Sequence, residues 1–260
     1  MGMADDRRTC LVVSTWAGRW RKRKTATDPN TNRLNGIDVK IAARKGLFVL
    51  VGSWVFLPAS FLIMGRSLGW WQAWAWCAVL LVPMTVFGVW KARTDPDFID
   101  RRLKMREKER SQQRLGAIGF PFQVAALALP GFDHRYGWSE VPMAAVIAAL
   151  ALSLAGFLLI LRVFAENRWA GRTVQTWEGQ QVVSTGPYAI VRHPMYTGAL
   201  VLWLATPIAL GSWWAFLPAL ASIPFLMMRV RNEEEVLRRD LNGYEEYLRE
   251  VRYRLLPLVW

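Results

Sequence analysis

The sequence predicts an all-α, polytopic integral membrane protein with about five to six transmembrane helices, the last two forming a C-terminal hairpin. Three observations carry that prediction. The chain is 53% hydrophobic although it holds 33 Lys+Arg against 20 Asp+Glu, a net charge of +13. Its charges are segregated from its apolar residues into separate stretches. It also carries 15 Trp in 260 residues, and interfacial Trp is a habit of membrane proteins. The apolar content excludes a disordered chain, and the modest Gly and Pro content excludes a collagen-like one. Cys10 and Cys77 are too few for a disulfide framework, and with His134 and His193 the only histidines no metal site is expected.

Uncharged runs of about 18 residues or more mark the spans, because the hydrocarbon core is roughly 30 Å thick and a helix rises about 1.5 Å per residue. Leu47–Met64 is the first run and Ser67–Trp90 the second, with only Gly65-Arg66 between them. Leu115–Phe132 is the third, interrupted by Pro121 and Pro130, and Val141–Leu161 is the fourth. Pro194–Met228 is the fifth, 35 residues without a charge, which is too long for one span and suits two short ones. Buried helices of a soluble domain would need charged faces that these runs lack.

Charge distribution arbitrates the topology. Residues 1–46 hold 11 Lys/Arg, 91–114 hold nine, 162–193 hold four and 229–260 hold seven, while the intervening turns hold only Arg66 and Arg135. Lys/Arg-rich loops stay cytoplasmic, so both termini are expected in the cytoplasm. The tail joins that side only if 194–228 goes in and returns, turning within 205–213 near Pro207 and Gly211. That makes six crossings, or four plus a deep re-entrant pair. The basic excess then reports topology and attraction to anionic lipid, and no nucleic acid partner is expected.

The flanks read simply. Residues 1–46, with Arg19-Trp20-Arg21-Lys22-Arg23-Lys24, form a basic cytoplasmic tail expected to be disordered, without a signal-peptide apolar region. Residues 47–165 hold the first four helices, and their cytoplasmic connection 91–114 reads as an amphipathic or solvated helix from Asp95-Pro96. Asp133, His134 and Arg135 fall on the outer side and are expected to cap helix ends there.

Polar residues clustered beside a membrane are informative because they are costly there. Two such stretches flank the hairpin, Gln175–Tyr196 and Arg229–Trp260, and its return brings them to one membrane face. Together they offer aromatics, a histidine, arginines and carboxylates, which suits a ligand with a flat ring, a ribose and a charged end. Each piece also has an ordinary structural explanation. Gly186-Pro187 is a turn, Pro194 favours a first helical turn, and Glu235 stands four before Arg239 as a plain ion pair would. Tyr244, Tyr247 and Tyr253 could be interfacial anchors.

Gly186-Pro187-Tyr188, Val191-Arg192-His193-Pro194-Met195-Tyr196 and Gly198 resemble the signature of the isoprenylcysteine carboxyl methyltransferase family, itself related to phospholipid methyltransferases. Arg229-x-x-x-Glu233-Glu234-x-x-Leu237, Gly243-Tyr244-x-x-Tyr247 and Val251–Pro257 are similar to that family's C-terminal half. The resemblance is strongest over 166–260. It extends more weakly to Asp133-His134-Arg135-x-x-Trp138-Ser139, which resembles a bacterial branch and implies a bacterial inner membrane. Asn242-Gly243 departs from the Phe-Gly of many relatives.

The resemblance implies an S-adenosyl-L-methionine-dependent methyltransferase with a cytoplasmic cofactor pocket over 166–260. Its cofactor-binding residues would be Gln175, Gln180, Gln181, Val182, Val183, Tyr188, His193, Pro194, Met195 and Tyr196, with Glu233 or Glu234 as the acidic partner. Arg229 or Arg231 would orient the acceptor. An arginine suits a carboxylate acceptor through paired hydrogen bonds, so the expected partner is a lipophilic carboxylate entering from the bilayer. Oligomeric state is left open. The alternative enzyme is an NADPH-dependent membrane reductase of the sterol-reductase type, in which Arg168, Arg172 or Arg192 would meet a 2′-phosphate. A transporter would show charges or broken helices at the midplane, which these spans lack.

Overall fold

The computed structural model describes residues 36–95, 98, 107, 109–171, 173, 176, 179–257, 259 and 260, with side chains from 44 onward. The first 35 residues of the basic tail, Gln175, and residues 96, 97, 99–106 and 108 of the connection 91–114 lie outside the described residues.

Among the described residues the chain is helical and contains no strand. Four long helices lead: α1 (Gly36–Gly65), α2 (Trp71–Thr94), α3 (Arg110–Tyr136) and α4 (Met143–Glu166). All four are long and apolar enough to cross a membrane. They turn Phe48, Phe56 and Ile63 outward, each more than 70% exposed, as no water-soluble fold of this size would. A hydrocarbon solvent asks only that backbone polar groups be satisfied inside the helix, and the helices meet that demand. For the same reason α3 runs unbroken through Pro121 and Pro130, and α1 and α2 through Pro58 and Pro83.

The 35-residue uncharged run does fold as a hairpin. Its first leg is α5 (Pro194–Ala209), and its return is α6 (Phe216–Ala221) followed by α7 (Ile223–Asp240), which carries the chain back into its charged tail. The reversal falls at residues 210–215, where Gly211 adopts φ +83°, a left-handed conformation that costs glycine nothing. Pro207 lies inside the helix rather than in the turn. At this tip Trp70 Nε1 donates to Leu210 O (3.1 Å), and Ser139 and Ser212 both donate to Asp133 Oδ2. His134 stacks on Trp70 at 5.1 Å between ring centres. Hence the two short loops and the hairpin tip meet at one end, as the charge count requires, and Asp133 fastens them. The Asp133 carbonyl also accepts from Gly137 N, closing α3.

Helices α4 and α5 pack backbone against backbone. A Cβ built on Gly156 would lie 2.7 Å from Gly198 O and 2.8 Å from Leu202 N; one on Gly198 would lie 2.6 Å from Gly156 O. Small residues that let backbones approach are the usual adhesive of helices in lipid, where apolar burial offers no gain. Gly156→Ala is therefore expected to overpack a contact made of backbone, costing about 1–3 kcal/mol. Thermal unfolding in detergent should show a lower midpoint for Gly156→Ala and none for Gly52→Ala, whose Cβ meets nothing. This contact matters for the site because α5 begins at Pro194, one residue after His193.

Candidate functional site

At the end opposite the hairpin tip, two stretches far apart in sequence interlock. Residues 191–193 run beside the C-terminal residues: Arg192 N donates to Tyr253 O and His193 N to Arg254 O, both at 2.9 Å. Thr197 Oγ1 donates to Leu255 O (2.7 Å) and Tyr247 OH to Tyr188 O (2.8 Å). On the other side, the 3₁₀ turn Gly186–Ala189 leans on the end of α4, where Thr185 Oγ1 donates to Glu166 Oε1 and Asn167 Nδ2 to Tyr188 OH. Gly186 holds φ +59° and an added Cβ would meet the Glu166 carboxylate at 3.0 Å, so glycine is required twice over.

Glu234 is the centre of this interlock. It is 3% exposed, and its Oε1 lies 2.8 Å from Arg192 Nε and 3.3 Å from His193 Nε2, while Oε2 accepts from Arg254 Nε at 2.8 Å. Burial by itself would raise its pKa. Hydrogen bonds from His193 and Arg254, with the charges of His193 and Arg192, overcome that and hold it at about 2 against the ordinary 4.5. The native carboxylate thus takes up its proton less readily than the unfolded one. Its stabilisation is complete above pH 4.5 and is lost as pH falls towards 2, a difference of about 3 kcal/mol. Acid titration of the purified protein should show this loss in wild type, and Glu234→Gln should be flatter across the same window.

Glu233, one residue away, has different company. Tyr196 OH donates to its Oε2 at 2.6 Å and accepts from Arg229 Nε at 3.0 Å, and Arg229 Nη2 reaches Glu107 Oε2 at 3.2 Å. Gln112 Nε2 donates to the Arg229 carbonyl, tying α3 to α7. A charge relay therefore runs from Glu107, through Arg229 and Tyr196, to Glu233.

Above this relay opens a cleft. It is lined by Gln180, Gln181, Val182, Val183, Tyr188, His193, Met195, Tyr196 and Glu233, with Asn167, Trp169, Ala170, Gly171, Thr173, Arg192, Leu237, Leu241, Tyr244 and Tyr247. Nine of the residues expected from sequence to hold a cofactor stand together on its wall. Pro194 lies buried beneath them and Glu234 behind them, both outside the lining. Arg229 sits one layer back, behind Tyr196. Arg231 projects from another face of α7, exposed and 5.9 Å from the Trp260 ring. Arg239 pairs with Asp240 and Glu109.

Residues 144–242 match the phospholipid methyltransferase family. The match begins within α4 and ends at Asn242, so the matched stretch holds the α4–α5 contact, the hairpin and most of the cleft wall. Tyr244 and Tyr247 complete the wall from beyond it, and Arg254 reaches Glu234 behind the wall. The chain is also similar to the Delta(14)-sterol reductase TM7SF2 of Mus musculus, 32% identical over 91 residues, which is 34% of this chain. That stretch spans 22% of the reductase.

Several wall residues had no signal in the sequence. Asn167, Trp169 and Thr173 follow α4 in a stretch of unremarkable composition. Tyr244 and Tyr247 were legible as a spaced pair but read equally well as interfacial anchors; the structure puts both in the cleft.

Proposed function

We propose that the cleft binds S-adenosyl-L-methionine and that the protein transfers its methyl group to a lipophilic acceptor, a carboxylate of the isoprenylcysteine type. The observation that carries this reading is the gathering of Gln180–Val183, Tyr188, His193, Met195, Tyr196 and Glu233 on one wall. The donor set suits the group. Tyrosine rings offer faces to an adenine and to a sulfonium cation, and the Glu233 carboxylate offers an acceptor to ribose hydroxyls or an ammonium. Glu234, whose oxygens already serve Arg192, His193 and Arg254, is the weaker candidate of the two.

When bound, S-adenosylmethionine supplies an electrophilic methyl group on a sulfonium. A carboxylate acceptor needs no general base, so the protein's contribution is alignment and exclusion of water. Arg229 would orient the acceptor carboxylate, which would replace Glu107 as the partner of its Nη2. Arg231, turned to Trp260, is less well placed. The cleft would face the cytoplasm, as the charge distribution expects, with a bacterial inner membrane as its setting and 166–260 as the cofactor-binding region.

Calorimetric titration of detergent-purified protein with S-adenosylhomocysteine tests this. Saturable binding in wild type, lost in the His193→Ala, Glu233→Ala double variant, is the expected result. Methyl transfer should fall in Arg229→Ala and persist in Arg231→Ala; persistence in both would remove the arginine assignment. The similarity to a sterol reductase favours a second reading, NADPH-dependent reduction. Arg168, on the exposed face beside Trp169, could meet a 2′-phosphate; Arg192 is held by Glu234, and Arg172 lies outside the described residues. Tight NADPH binding with no S-adenosylhomocysteine binding would establish that reading instead.

A further inference from the structure

Two tyrosines of α8 (Tyr244–Glu250) stand in one apolar cluster with Leu241 and Val251, their rings 5.8 Å apart. They differ in one respect. Tyr247 OH donates to Tyr188 O, whereas Tyr244 OH, in a residue 3% exposed, finds no partner among the described residues. A buried hydroxyl left unpaired is costly, and nearly all such groups are paired. Packing alone would be served as well by phenylalanine. Tyr244 also lines the cleft, and so does Thr173, whose Oγ1 is the other buried hydroxyl on that wall without a partner among the described residues. Two orphaned hydroxyls on one cleft point to a ligand that satisfies them.

We propose that Tyr244 OH, supported by Thr173 Oγ1, is a ligand-binding group that donates a hydrogen bond to an oxygen or ring nitrogen of the cofactor while Glu233 accepts from the same molecule. This rests on the cleft being a cofactor site, and deepens that reading by naming a specificity-determining donor. Burial, with the charges of Glu234 and Glu233 behind it, holds the phenol pKa well above 10, so the group stays protonated and acts as a donor. The ligand must therefore offer an acceptor to Tyr244 and a donor to Glu233 at once, as a ribose hydroxyl or an amino-acid end group can.

The test is Tyr244→Phe, with Tyr247→Phe as its counterpart, read by S-adenosylhomocysteine titration and by thermal unfolding of the free protein. Removing Tyr244 OH should weaken binding about tenfold and leave the unfolding midpoint equal or higher, because no protein bond is lost. Tyr247→Phe should lower the midpoint, because its bond to Tyr188 O is lost. Wild-type affinity in Tyr244→Phe would overturn the proposal, and so would a fall in its midpoint, which would mean that the hydroxyl serves the protein. If wild type binds NADPH and not S-adenosylhomocysteine, the methyl-donor reading fails by itself. The same variant titrated with NADPH then decides: weaker binding upholds the role of Tyr244 and unchanged binding overturns it.

Discussion

Replacing Glu234 by alanine is expected to cost more stability than any other single change at the cleft, about 3–5 kcal/mol. Its carboxylate serves Arg192, His193 and Arg254 together, and its removal leaves Arg192, with a side chain 9% exposed, as a buried charge without a counterion. A whole domain is stable by only about 5–15 kcal/mol, so the loss should be visible as a large drop in the thermal midpoint and in the yield of folded protein. Glu234→Gln keeps the volume and one acceptor and should recover part of it. An unchanged midpoint in Glu234→Ala would show that the interlock of 191–193 with 253–254 rests on backbone bonds alone.

Glu233→Gln is expected to fail in the opposite way. The amide oxygen can still accept from Tyr196 OH, and the side chain stands on the cleft wall rather than behind it, so the unfolding midpoint should barely move. What disappears is the charge offered to a ligand. A hydrogen bond to a charged group contributes about 1.5–3 kcal/mol, so S-adenosylhomocysteine should bind about 10–100-fold more weakly. Full affinity in this variant, or a midpoint as low as that of Glu234→Ala, would reverse the roles given to the two adjacent carboxylates. The pair of experiments separates holding the fold from holding the ligand, which neighbouring glutamates in a Glu-Glu-Glu run cannot reveal from sequence.

The membrane character and the hairpin were legible because lipid imposes a coarse and unambiguous rule. A span must be about 20 residues of uncharged chain, and a basic loop must stay on one side, so Pro194–Met228 had to reverse. The turn was legible only to within several residues. Both Pro207 and Gly211 carry a turn signal, yet in a helix shielded by neighbours proline is tolerated, and only Gly211 took the left-handed conformation. The likeness of His193–Tyr196 and Glu233-Glu234 to a methyltransferase signature singled out a set of residues of which His193, Met195, Tyr196 and Glu233 line one cleft. It left open which carboxylate and which arginine face it.

Those choices depend on rotation about a helix axis. Residues 229, 233 and 237 share one face of α7 because they recur every four positions, but which face meets the cleft is settled by what packs against it. The Gly156–Gly198 contact holds α5 against α4, and the return of Arg254 to Glu234 sets which carboxylate is consumed. By itself the sequence determined a basic, all-helical membrane chain whose two polar stretches meet at one face. Only the tertiary structure decided that Glu234 is a buried counterion, that Glu233, Tyr244 and Thr173 line the cleft, and that Arg229 stands behind it. Segregating charge from apolar residues is a one-dimensional property, whereas pairing a buried charge requires partners drawn from distant parts of the chain.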